Sequence, residues 1–262
     1  MLIGCLKGLR GSPIVRGAAS DIFPENVEIF RKQWREWDDT EGKYKALHAM
    51  NPLRVRFIRS KLDKNGEPNE NLRILDVGCG GGILSRSLSK VGYDVTAIDP
   101  VGEVIESLKA KQDEDTKRNP EGNVRCVKYL RATLADIVPQ ELRFNAIVAS
   151  EVIEHVPDYG EFIKNASKLL ERPNGYLFIT TINRTIASLI LAKYTAEYLL
   201  NIVPRGAHEW RLFVKPEEVT AEFEKNDIEC ESIRGMAYNP FKNVWKWSDS
   251  TIMNYAIAGR AK

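Results

Sequence analysis

Widely spaced cysteines, no long apolar run and almost no net charge mark what this 262-residue chain is not. Cys5, Cys79, Cys126 and Cys230 form no C-x-x-C pair, which argues against a disulfide framework or a structural zinc site and suits reduced thiols in a cytosolic or matrix-like compartment. No apolar stretch reaches the roughly 20 residues of a spanning helix, so the chain is not an integral membrane protein by that route but soluble or peripheral. The 38 basic residues nearly cancel the 36 acidic ones, leaving +2, too little for the positive field that grips a phosphate backbone, and no nucleic acid is expected as a partner. No acid precedes Asp21, while Lys7, Arg10, Ser12, Arg16 and Ser20 do; residues 1–24 read as an organelle transit peptide or an unstructured terminus. Repeats and low-complexity tracts are also missing, and at 43% hydrophobic residues the chain can bury one large core.

What is present alternates. From Glu25 to Lys61 the aromatic and aliphatic residues Phe30, Trp34, Trp37, Tyr44, Leu47, Met50, Leu53, Val55 and Ile58 recur mostly at helical spacings, predicting a helical lid over 25–61. A polar loop with Gly66 and Pro68 then separates it from short β-rich runs at 72–77, 94–98, 124–130, 144–149 and 176–181. Helical patterns at 83–91, 101–112 and 159–170 fall between most of them, and a helix at 216–225 precedes two final runs, 228–236 and 251–260. This is the α/β signature of a doubly wound, mostly parallel seven-stranded sheet within one domain over 25–262. Residues 183–206 exceed a simple connection. Ile186, Leu189, Ile190, Tyr194, Tyr198, Leu199, Ile202 and Val203 alternate there with Arg184, Lys193 and Arg205, fitting either a helix lying in a membrane interface or an amphipathic helix covering the core or a dimer contact.

The first β-run ends in Asp76-Val77-Gly78-Cys79-Gly80-Gly81-Gly82, where glycine lets the backbone turn sharply and approach a ligand. A dinucleotide fingerprint requires glycine at 83; Ile83 stands there, and no Tyr-x-x-x-Lys pair is found, so a nicotinamide oxidoreductase is disfavoured. Asp76 can fix the turn or lie near an amino group. Asp99 ends the second β-run 21 residues beyond Gly78, the usual place for a carboxylate that accepts two ribose hydroxyls, although the same side chain could cap the helix starting near Val101. Ser150 ends the fourth run at the same edge. Glu151, Glu154 and His155 follow at i, i+3 and i+4, so one turn of helix would point two carboxylates and an imidazole at the pocket as a site for a divalent metal; the alternative is that Glu151 faces the cofactor and His155 packs or caps before Pro157.

The runs ILDVGCGGGILS, VTAIDP, EVIEHVPD and TTINRT resemble the class I S-adenosylmethionine methyltransferases, and WDDTEGKYKALHAMNPLR, AEYLLNIVPRGAHEWRLFVKPEEV and GMAYNPFKNVWKW resemble more narrowly the O-methyltransferases of ubiquinone biosynthesis, over residues 30–260. The resemblance implies a Rossmann-like fold with S-adenosylmethionine held by Arg54, Gly78, Asp99 and Ser150, Arg54 donating to the methionine carboxylate. It implies a polyprenylated catechol substrate, a divalent ion, magnesium first, on Glu151, Glu154 and His155, and His208 as a further candidate for taking the phenolic proton. It also implies peripheral attachment to the matrix side of the mitochondrial inner membrane, beside other ubiquinone-biosynthesis proteins. A methyltransferase acting on another small phenol or on a protein, and a noncatalytic scaffold subunit of the same fold, remain as alternatives.

Overall fold

The computed structural model describes residues 23–63, 66–119, 125–190 and 210–262; the transit-peptide reading, His208 and residues 191–206 of the insertion lie outside them. The chain opens with α1 (Pro24–Gln33), a 3-10 turn at Trp34–Glu36 and α2 (Lys45–Leu62). It continues through β1 (Arg73–Val77), α3 (Ile83–Val91), β2 (Asp94–Asp99), α4 (Gly102–Arg118), β3 (Lys128–Arg131), α5 (Leu134–Ile137) and β4 (Ala146–Ser150). After these come α6 (Tyr159–Lys168), β5 (Tyr176–Ile182), α7 (Pro216–Lys225), β6 (Ile228–Asn239), β7 (Val244–Ser248) and β8 (Asn254–Ala261).

The strands form one sheet in the order β3-β2-β1-β4-β5-β8-β6-β7. The first five are parallel and the last three antiparallel. Strand order reverses between β1 and β4, which opens a crevice at their carboxyl ends. The parallel strands read as continuous apolar runs because both faces are covered: Ile74, Val95, Ala97 and Val148 pack towards α2, α3 and α4, while Leu75, Val77, Ile147 and Ile179 pack towards α5, α6 and α7.

Two features differ from the sequence reading. Among the described residues the sheet has eight strands rather than seven, because Val244-Trp245-Lys246-Trp247 alternates with period two and pairs with β6; Trp245 and Trp247 turn inward, and the Trp245 indole donates to the Ala46 carbonyl at 2.8 Å. The expected lid divides in two. Helix α2 buries Met50, Leu53, Phe57, Ile58 and Leu62 in the core, with Phe57 edge-on to Phe178 at 5.8 Å, so of the expected lid it is α1 and residues 34–44 that cover the crevice from outside. Among the described residues no helix is long and apolar enough to cross a membrane.

The antiparallel end is held against α7 at Gly259, where an added Cβ would stand 2.5 Å from the Phe223 ring and from Ile228 Cγ2. Gly259→Ala should therefore cost on the order of 1–3 kcal/mol by overpacking, read as a lowered urea midpoint at unchanged slope.

Candidate active site

Gly78, Gly80 and Gly82 all adopt the left-handed region, at φ 65°, 47° and 69°, which explains why glycine recurs at every second position of the turn. A Cβ at Gly78 would meet Val152 at 2.8 Å, and one at Gly81 would meet Trp37 at 2.4 Å. The turn is thus pressed between the β4 exit on one side and the outer lid on the other. Asp99 ties it to β2, accepting from the Gly80 N–H at 3.0 Å and the Val101 N–H at 2.9 Å. The Val101 bond closes a turn just ahead of α4, whose N-cap position is Val101 and takes no side-chain cap, so Asp99 does not cap that helix. The two bonds use only part of the carboxylate's capacity of about four lone pairs, and leave acceptor sites for a ligand. Burial raises the Asp99 carboxyl to about 6, against the pull of those two N–H groups. Asp76 is also raised to about 6, mainly by burial, and accepts from Ser85 Oγ at 2.5 Å.

Arg54 reaches from α2 into the centre of the crevice. Its guanidinium donates to Ser150 Oγ at 2.9 Å, to Asn51 Oδ1 at 3.1 Å and to the Leu47 carbonyl at 3.3 Å. Desolvation lowers its pKa, while the charges of Glu151 and Asp76 raise it. Ser150 Oγ lies 2.8 Å from Thr180 Oγ1, and Thr180 donates to Glu151 Oε1 at 2.7 Å. Each hydroxyl has one hydrogen, so donation runs one way, from Arg54 to Ser150 to Thr180 to Glu151. The Arg54 Nε is buried and makes no hydrogen bond among the described residues. Such a donor in the middle of a crevice suits an anionic group of a ligand.

The single helical turn expected for Glu151, Glu154 and His155 is not what forms. Glu151 adopts φ 57° as its N–H pairs with the Thr180 carbonyl at 2.8 Å, and Ile153–His155 is a 3-10 turn, so the three side chains do not share one helical face. Glu154 accepts from Thr181 Oγ1 at 2.8 Å and is raised to about 8 by burial and then by the Glu151 charge, so the two carboxylates are close enough to feel each other. The His155 ring packs edge-on against Phe30, with centroids 5.4 Å apart. Among the described residues no group of three acid, histidine or cysteine side chains is gathered to hold a metal. The donor chemistry of Glu151 and Glu154 still fits a hard ion such as magnesium, which uses one or two carboxylates and takes its other oxygens elsewhere.

Thr180, Thr181 and Ser85 were not singled out as site residues in the sequence, and Trp37 and Tyr44 were read there only as part of the lid pattern. Thr180 and Thr181 end β5 and hold the two glutamates; the only signal was a pair of hydroxyls at a strand's carboxyl end. Ser85 holds Asp76, one helical turn beyond the glycines. Trp37 stacks on Tyr44 at 3.9 Å and lies over Gly80 and Gly81, and Tyr44 is anchored by donating to Gln33 at 2.6 Å. Beside Asp99 opens a cleft of about 590 Å³ lined by Val27 and Arg31 of α1, Pro100, Val101, Gly102 and Arg131 among others. Its position next to an unfilled carboxylate suits a flat heterocycle.

Thr180→Val keeps the side-chain shape but strands Ser150 and Glu151 without their shared partner. A loss of about 1–3 kcal/mol in unfolding free energy at neutral pH is expected from urea titration.

Residues 47–233 match the family described as "Methyltransferase domain". The mitochondrial ubiquinone biosynthesis O-methyltransferase of Rattus norvegicus is 38% identical over 242 residues, 90% of this chain and 68% of that protein. The ubiquinone biosynthesis O-methyltransferase of Azorhizobium caulinodans is 36% identical over 250 residues, 93% of this chain and 95% of that protein. The chain spans 63–68% of the length of the mammalian relatives. In fold it is similar to magnesium protoporphyrin IX methyltransferase of Synechocystis with bound S-adenosylmethionine, at TM-score 0.59 and 16% identity, covering 94% of this chain and all of that one. The glycine turn, the strand-ending carboxylate and the end-to-end match with the bacterial proteins converge: the chain belongs to the ubiquinone biosynthesis O-methyltransferases, S-adenosylmethionine-dependent enzymes of the class I fold.

Proposed function

We propose that this enzyme transfers the methyl group of S-adenosylmethionine to one hydroxyl of a polyprenylated catechol, a dihydroxybenzoate or a demethylubiquinol. The observation that carries the assignment of the site is Arg54, a buried guanidinium bonded to Ser150 and flanked by Asp76 and Glu151, with its Nε still without a hydrogen-bond acceptor among the described residues. Arg54 would hold the methionine carboxylate, the Gly78 turn would lie against the cofactor's centre, Asp99 would accept the ribose hydroxyls, and the 590 Å³ cleft would take the adenine. Ser150, already engaged by Arg54, would position that arginine as well as line the pocket.

Methyl transfer is an in-line displacement at a sulfonium carbon, so the protein must align an oxygen and present it as an anion. A phenolic hydroxyl with a pKa of about 10 is ionised to only about one part in a thousand at pH 7, a deficit of roughly 4 kcal/mol. Glu151 and Glu154 are the residues that would hold a divalent ion, which would supply the charge that lowers this pKa; His155, expected as a third ligand, packs against Phe30 instead. Thr180 and Thr181 fix the two carboxylates, and His208 remains the candidate for accepting the proton. The polyprenyl tail favours peripheral membrane attachment through the 183–206 insertion, where Ile186 and Ile190 stand exposed at its described start. By kinship with the rat protein, the compartment we assign is the matrix face of the mitochondrial inner membrane, with other proteins of the pathway as neighbours and residues 1–24 as the targeting segment.

Asp99→Ala should weaken S-adenosylmethionine binding by about 2–4 kcal/mol, measured by calorimetry. Because the ionised carboxylate is the ribose acceptor and its resting pKa is near 6, affinity should be level above pH 7 and fall as pH drops through 6, by about tenfold per unit once protonation dominates. Asp99→Asn should flatten that fall; an unchanged affinity in Asp99→Ala removes the ribose assignment. Chelator-treated enzyme should lose turnover on a soluble short-tailed catechol and regain it with added magnesium, whereas Glu154→Gln should not be rescued. Full rate in chelator with a nearly silent Glu154→Gln would make the acidic pair structural.

A further inference from the structure

Phe241 is 98% exposed at the turn between β6 and β7. Nothing in the fold requires an aromatic ring there, yet the turn that displays it is tightly built. The Asn239 carboxamide oxygen accepts from the backbone N–H groups of both Phe241 and Lys242 at 3.0 Å, Tyr238 donates to Asn243 Oδ1 at 2.9 Å, and Tyr238 stacks on Trp245 at 4.9 Å. The ring is held out into solvent by a rigid tip, with half-exposed Val244 at its base.

The sheet register places this tip at the edge that holds the active site. Ile182, at the carboxyl end of β5, pairs with Asn254 at the start of β8, and Asn254 pairs with Met236 on β6. From Met236 the chain runs on for three residues to Asn239 before turning, so the tip projects roughly 10 Å beyond that edge. The insertion leaves from the same edge. Its first residues are stapled to the segment before β8, Thr185 donating to the Ile252 carbonyl at 2.7 Å and Asn183 to the Thr251 carbonyl at 2.8 Å. Ile186, Ile190 and Ile252 are 74%, 50% and 52% exposed there. The turn and β7 carry Lys242 and Lys246, both exposed, with no acid between Asn239 and Trp247. Neither lysine is paired with a carboxylate among the described residues.

We propose that the β6–β7 turn is a second membrane contact, in which Phe241 enters the headgroup region of an anionic bilayer while Lys242 and Lys246 meet its phosphates. This rests on the reading that the substrate's tail lies in lipid. Two apolar points separated along one edge, the insertion and the turn, fix the tilt of the sheet against the bilayer and hold the crevice mouth at the surface from which a headgroup is drawn. Phe241→Ser removes nothing the fold uses, so it isolates the contact.

The test is flotation of the full chain with phosphatidylcholine vesicles containing none or 30% anionic lipid, as about the composition range in which basic clusters respond. The expected result is that Phe241→Ser lowers the partition coefficient on anionic vesicles about tenfold, Lys242→Glu with Lys246→Glu removes the preference for anionic lipid, and both variants keep wild-type turnover on a short-tailed soluble catechol. Equal flotation of wild type and Phe241→Ser, no flotation of the wild type, or a wild-type dimer in solution that Phe241→Ser dissociates would each overturn the proposal. Turnover of the soluble catechol reports separately on the proposed chemistry, which survives failure of the membrane contact.

Discussion

A buried guanidinium organises this protein. Arg54 leaves the core helix α2 and, through Ser150 and Thr180, ends on Glu151, joining one helix to the carboxyl ends of β4 and β5. A cation taken out of water is costly unless paired and hydrogen-bonded, and the carboxylates of Asp76 and Glu151 are what compensate it. Arg54 cannot shift without taking from Ser150 the donor to its hydroxyl oxygen, and Thr180 cannot turn without releasing Glu151. The geometry of the crevice is therefore set by a chain of hydrogen bonds in which each group has one place to go.

The charge balance around that chain explains which ligand the crevice favours. Asp76 and Glu151 face a single guanidinium with Asp99 and Glu154 nearby, and burial raises the proton affinity of each of the four. Such a site favours the approach of positive charge. A sulfonium cofactor supplies such a charge. A pyrophosphate would add negative charge beside Asp76 and Asp99, so the electrostatics and the absence of glycine at 83 disfavour a dinucleotide for the same reason.

The outer lid shows how access is tied to this arrangement. Trp37, stacked on Tyr44, covers Gly80 and Gly81, while Asp38 pairs with Arg86 at 3.1 Å and Lys111 at 2.7 Å, and Arg31 with Glu103 at 2.7 Å. These are exposed pairs, each worth about 0–1 kcal/mol, and weak enough to open. The aromatic stack covers the turn while the ion pairs locate it.

Periodicity and punctuation were enough for the order of elements, the parallel core and the glycine turn, because a strand buried on both faces is a continuous apolar run and a left-handed turn admits glycine almost alone. The ranges 83–91 and 216–225 were legible to the residue, bounded by Gly82 and Gly92 in one case and opened by Pro216 in the other. The eighth strand was not: Val244 to Ser248 is short, and its tryptophans read as generic apolar residues until α2 gives them something to pack on. Glu151, Glu154 and His155 were visible as a cluster but not as a geometry, since the spacing implies a helix only if the backbone is helical, and pairing of the Glu151 N–H with β5 forces a left-handed bend instead. Thr180 and Thr181 were visible only as a pair of hydroxyls at the end of a β-run. Which hydroxyl meets which carboxylate depends on two parallel strands ending side by side, a relation between residues 29 and 27 positions apart that local sequence does not encode.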